Sequence, residues 1–257
     1  MELKREEQRE LINCLLDMGQ LLLDCGAEIS RVEDTLSRMA AAYGSTHADV
    51  FVITSIISIS IEFSSKEVLT ETRRIYSSSG TDFFRLEKLN SISRNCCISP
   101  MPIAELKRAL EKIAHGRKPL KVVLVGSALA AGSFAVFFGG GIWDGIAAAV
   151  FGLFICLLQR KLGRTQLSTV GSNLLLSFMT GLCVSIVCRV IPVFNLDKIL
   201  IGDIMLMIPG LAMTNSIRNM LGGNTISGVV RLIESLIWAG ALAGGFMTAF
   251  MIINLLA

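Results

Sequence analysis

From Val122 to Ala257 the chain is a succession of apolar runs about as long as a bilayer is thick, and that leaves it few ways to fold. Residues 1–121 hold 17 of the 24 Lys+Arg and 17 of the 21 Asp+Glu, so the remaining 136 residues hold only 7 and 4. Backbone in lipid must satisfy its own hydrogen bonds, and runs of about 20 apolar residues do so as helices. The expectation is an integral membrane protein. An α-helical bundle of five transmembrane helices (119–257) follows a mixed α/β cytoplasmic domain (1–118).

The five spans fall at about 121–140, 142–158, 167–191, 199–221 and 226–256, the fourth broken at Pro209-Gly210. Lys112, Arg117, Lys118 and Lys121 precede the first. Arg160, Lys161 and Arg164 lie between the second and third, and Arg218 lies near the turn between the fourth and fifth. The alternate loops carry Asp144 in one and Asp197 with Lys198 in the other. Basic loops stay on the cytoplasmic side. This predicts a multi-pass protein of the plasma (inner) membrane with a cytoplasmic N-terminal domain and an external C-terminus. The start, MELKREEQRE, has no apolar stretch and is not a signal peptide. Small residues recur four apart at Ala128/Gly132, Gly145/Ala149, Ala148/Gly152 and Gly240/Gly244, which suits close packing of helices.

Within the first part, Leu11, Leu15, Leu16 and Leu22 recur at helical spacing over 8–24, and Gly26 breaks the pattern. Ser30-Arg-Val-Glu33 reads as a capping box opening a helix that runs to about Tyr43, before Gly44. Residues 50–63 read as one strand and 67–76 as its hairpin partner, with helices at 82–97 and 103–114. The net charge of +3 is small and the basic residues here are matched by acids, so nucleic acid is not an expected partner. Seven cysteines form no CxxC pair, and there are only two histidines, so neither a metal site nor any other cofactor is expected. Free thiols suit a reducing compartment. Serines crowd 54–65 and 77–79 without a histidine to activate them, and there is no GxSxG, HExxH or phosphate loop. The chain therefore reads as no enzyme. His47 reads as a surface residue.

The unusual segment is 208–234, IPGLAMTNSIRNMLGGNTISGVVRLIE. Polar and helix-breaking residues at membrane depth must face protein or water, which marks them as candidates for function. Pro209 lacks a donor and Gly210 tolerates open geometry, so together they can unwind the fourth span near its middle. Transporters hold substrates at such breaks. Thr214, Asn215 and Arg218 follow at helical spacing. A guanidinium binds a carboxylate bidentately, so Arg218 and Arg231 suit a small molecule bearing one. Arg231 and Glu234 lie one turn apart and can pair. Asp203, inside the fourth span with no basic residue within a helical turn, is the carboxylate best placed to take up a proton.

The run MIPGLAMTNSIRNMLGGNTISGVVRLIESLIWAGALAGGF resembles the threonine/serine exporter family, as does GAEISRVEDTLSRMAAAYG with the threonine- and serine-rich apolar strand after it. The resemblance covers both parts of the chain. It implies a secondary transporter exporting small polar metabolites, threonine and serine foremost and small dicarboxylates such as succinate as a variant, driven by the proton gradient. It implies substrate binding by Pro209, Gly210, Thr214, Asn215, Arg218, Asn219, Ser227 and Arg231. Where the family usually has acids in Ile-Arg-Asp and Gly-Asp, this chain has Asn219 and Asn224, which moves proton coupling toward Asp203 and Glu234. Some members are split between two chains. An odd number of spans ending near Ala257 then resembles the large subunit of such a pair, with a small membrane subunit supplying an inverted second half. The expected partners are that subunit, the small-molecule substrate, membrane lipid and a further copy of the chain. A membrane-anchored signalling or scaffold protein is the rival of another class, but an anchor needs one span, not five with internal charges.

Overall fold

The computed structural model describes residues 4–64, 67–75, 80–116, 119–165 and 167–255. Tyr76, the serines at 77–79, Arg117, Lys118 and the end of the fifth expected span at 256 lie outside the described residues. In chain order come α1 (Arg5–Asp24), α2 (Ile29–Ala42), β1 (His47–Ile53), β2 (Ile56–Glu62), β3 (Val68–Arg74), α3 (Phe83–Ile98) and α4 (Ile103–Ala114). There follow α5 (Leu120–Phe137), α6 (Ile142–Leu162), α7 (Thr169–Val190), α8 (Leu196–Met207), α9 (Gly210–Leu221) and α10 (Thr225–Leu255). The chain divides into two compact units, Met1–Arg117 with Leu211–Leu232, and Lys118–Gly210 with Ile233–Ala257.

The first unit is built on α1, whose Leu11, Ile12, Leu15, Met18 and Leu22 are fully buried or nearly so. Its Gly19 lets β2 approach: a Cβ there would lie 2.8 Å from Ile57 Cδ1. The sheet is antiparallel in the order β1-β2-β3. Along β2, Ile57, Ile59 and Ile61 point into the core, and the residues between them face the other way, as a period of two requires. On that other face Ser58 pairs with Thr72 at 2.8 Å and Ser60 with Thr70 at 2.9 Å. These two serines are cross-strand partners, which accounts for part of the serine-rich run. His47 is exposed beside Asp49, as a surface residue.

Two local expectations change. The expected single strand over 50–63 is a hairpin, because the chain turns at Thr54-Ser55 between β1 and β2. Apolar β-branched residues flank the turn on both sides and hide it. The capping box at Ser30 does not form. The helix begins at Ile29 with Glu28 as N-cap, and the Glu33 carboxylate accepts a hydrogen bond from Val52 N at 3.0 Å. Glu33 therefore satisfies a strand donor instead of capping its own helix. Burial, reinforced by Asp17, pushes the Cys14 thiol up to about 11, and burial also raises Cys96. Both act as core hydrophobes.

In the second unit, α5, α6, α7 and α10 are long and apolar enough to cross a membrane, the four such helices among the described residues. The expected fourth span, 199–221, is not one helix. Pro209 forces Ile208 into extended backbone (φ −61°, ψ 129°), which ends α8, and α9 starts afresh at Gly210. At 12 residues each, α8 and α9 are about 18 Å long, short of the roughly 30 Å of hydrocarbon.

Close backbone approach holds this unit together. A Cβ on Gly132 would lie 2.8 Å from Gly145 O, and one on Gly152 2.8 Å from Ser127 O. One on Gly202 would lie 2.5 Å from Ala131 O. The small pairs of α5 and α6 thus pack as their spacing suggests. The Gly240/Gly244 pair does not, since nothing described lies within 4 Å of a Cβ at either. Gly245 makes the crossing with α7 instead, where a Cβ would collide with the Ser177 hydroxyl and the Leu174 carbonyl.

At one end of the unit Asp144 is 2% exposed and accepts three hydrogen bonds, from Gly141 N at 2.9 Å, Asn195 N at 2.7 Å and Asn195 Nδ2 at 2.9 Å. Lys198 Nζ donates to Phe138 O at 2.9 Å. The α5–α6 and α7–α8 connections are therefore fastened together. Arg189, in the last turn of α7, adds a basic residue near this end.

Candidate functional site

Leu211, Thr214, Asn215 and Arg218 stand at i, i+3, i+4 and i+7, which makes them one face of α9. That face lines a cavity of about 290 Å³ within the first unit. The opposite wall is the α1–α2 turn and the start of α2: Gly26, Ala27, Glu28, Arg31, Val32 and Thr35. Phe83, Leu86 and Asn90 of α3, with Leu22, complete it. Gly26 makes the turn with φ +84°, a conformation that favours glycine. Its carbonyl accepts from Asn215 Nδ2 at 3.4 Å.

The charges in the cavity are arranged around Glu28. Its Oε1 pairs with Arg218 Nη1. Its Oε2 lies 3.6 Å from Arg31 Nε. The Glu28 side chain is only 17% exposed, whereas those of Arg218 and Arg31 are 59% and 75% exposed. One sheltered carboxylate thus faces two accessible guanidiniums across a small space that also holds hydroxyl and amide groups. Such a site can hold a small molecule carrying charge of either sign, at the lower end of ligand-pocket volumes.

The other expected binding residues are placed differently. Pro209 and Gly210 form the joint between α8 and α9, and the boundary of the two units falls just after Gly210. Asn219 is buried on α9, with no described partner for its Nδ2. Ser227 is buried at the start of α10. There Gly228 lets α10 approach α9, a Cβ on it lying 2.8 Å from Ser216 O. Arg231 is half-buried one turn beyond Ser227. None of these lines the cavity.

Of the two expected proton-coupling residues, Glu234 is exposed on α10. Asp203 is fully buried in α8, and neither carboxylate oxygen has a hydrogen-bond partner among the described residues. An ionised carboxylate so placed is costly, and a protonated one is far less so.

The sequence model of the threonine/serine exporter family, ThrE, matches residues 13–253. The chain belongs to the threonine/serine exporter family. A protein of Corynebacterium glutamicum named threonine/serine exporter is 23% identical over 245 residues, covering 91% of this chain and 50% of its own length. The chain thus spans half the length of that relative. A Klebsiella aerogenes protein named probable succinate transporter subunit YjjP is 23% identical over 256 residues, 98% of this chain and 97% of its own length. No solved structure matches.

Glu28, Arg31 and Asn90 were not among the residues expected at a threonine/serine exporter's site. Their signal in the sequence was slight: Gly26-Ala-Glu28 at a helix break, in a run that already carried the family likeness. Asp144 was counted only as a loop charge, since nothing local predicts its partner Asn195, 51 residues away.

Proposed function

We propose that the chain is one half of a secondary transporter that exports threonine and serine across the plasma (inner) membrane. The observation that carries this is the cavity beside α9, where Arg218, Asn215 and Thr214 gather polar groups around a space suited to one small metabolite. Arg218 binds the substrate carboxylate, and Arg231 serves it further along the path. The joint at Pro209-Gly210 supplies the break that ends the fourth of five crossings at α8 and leaves α9 to line the cavity within the first unit. Residues 1–118 then lie in the cytoplasm and the C-terminus outside.

The second half comes from a small membrane subunit. The word subunit in the name of the Klebsiella relative supports this. Protons drive export through Asp203, whose buried carboxylate has no hydrogen-bond partner among the described residues, with Glu234 of α10 as the second candidate for that role. Export of small dicarboxylates is the second reading, favoured by the two guanidiniums at one cavity and by the Klebsiella relative's name. Inside-out vesicles carrying the chain with the small subunit test both. Threonine and serine should accumulate when the interior is acid. Accumulation of succinate alone would establish the second reading.

A further inference from the structure

We propose that Glu28 is the ammonium-binding residue of the α9 cavity, and that it selects an amino-acid zwitterion over a dicarboxylate. The inference rests on the reading that this cavity holds the substrate. Among the described residues, Glu28 is the single acidic side chain in its lining, faced by Arg31 and Arg218. Without ligand, Glu28 and Arg218 satisfy each other directly.

A zwitterion can enter this pair without leaving a charge exposed to its like. Its carboxylate takes the Arg218 guanidinium, and Arg31 is close enough to Glu28 to share the load. Its ammonium takes the Glu28 carboxylate. One ion pair opens and two charge-assisted contacts form, with the net charge of the site unchanged. A dicarboxylate meets the two guanidiniums equally well but brings two negative charges towards Glu28, which has nowhere to turn. The Glu28 side chain is mostly sheltered, so water screens this repulsion poorly. Rejecting the wrong ligand by like charge is an established route to specificity. Asn215, tied to the Gly26 carbonyl, holds α9 against the turn that carries Glu28, so the two charged walls keep their spacing.

The test is equilibrium binding to the purified full chain in complex with the small subunit in detergent, with L-serine, L-glycerate and succinate as ligands. Glycerate replaces the ammonium of serine by a hydroxyl and changes little else. Wild type should bind serine at least about tenfold more tightly than glycerate, the scale of one hydrogen bond to a charged group. Glu28→Gln should erase that preference and bind succinate as well as or better than wild type. Equal affinities of wild type for serine and glycerate would overturn the proposal without any variant, so a misfolded Glu28→Gln cannot shield it. So would a Glu28→Gln that keeps the preference. Arg218→Lys separates the two layers. If it weakens both serine and glycerate while Glu28→Gln changes neither, the cavity is the site and Glu28 is not its selector. If neither variant changes any affinity, or wild type binds no serine, the cavity is not the substrate site and both readings fall.

Discussion

Two adjacent glycines on α10 should respond oppositely to the same added methyl group. At Gly245 a Cβ would run into the Ser177 hydroxyl and the Leu174 carbonyl, and would sit 2.9 Å from Phe178 N. The hydroxyl can rotate away, but the other two atoms are backbone of α7, so Gly245→Ala must push two helices apart. Overpacking of this kind costs about 1–3 kcal/mol, and a backbone obstacle puts the expectation near about 3 kcal/mol. For a chain of this size that lowers the melting temperature by about 6–12 °C. Gly244→Ala meets nothing within 4 Å, so it should be neutral or stabilise by up to about 1 kcal/mol through helix propensity. Thermal unfolding of the two purified variants in the same detergent measures the difference. Equal melting temperatures, or a less stable Gly244→Ala, would show that α7 and α10 do not cross at Gly245.

Three other outcomes are expected. Asp144→Ala removes the acceptor of three hydrogen bonds from the exposed residues Asn195 and Gly141 and should cost about 1.5–3 kcal/mol, visible as early unfolding in a denaturant series; a variant as stable as wild type would mean the two connections are not fastened there. Asp203→Asn should abolish export driven by an imposed proton gradient while serine exchange continues, and continued pumping by that variant would remove Asp203 as the proton site. Reporters fused before Met1 and after Ala257 should read as cytosolic and external, and finding both on one side would eliminate the odd number of crossings.

What could be read from the sequence followed from periodicity and composition. The apolar helices and the break at Pro209 rest on strong local signals. Proline disfavours helical backbone at the residue before it, and Ile208 ends α8 accordingly. The partners of α9 were not legible. Leu211, Thr214, Asn215 and Arg218 could be seen to share a face, but the residues facing them come from α1, α2 and α3, more than 100 positions away. Packing against those helices decided the matter, and no local pattern encodes it. The same holds for Gly245, which lies one residue outside the GxxxG pair that spacing alone would choose.

Whether Arg218 holds the substrate carboxylate is read from export by Arg218→Lys in inside-out vesicles with the small subunit present. Lysine keeps the positive charge but cannot make the planar two-pronged contact. Serine and threonine uptake should be at least about tenfold slower than wild type at limiting substrate, with normal amounts of inserted protein. Wild-type uptake by Arg218→Lys would mean that Arg218 serves only as the partner of Glu28, and the α9 cavity would lose its claim to the substrate.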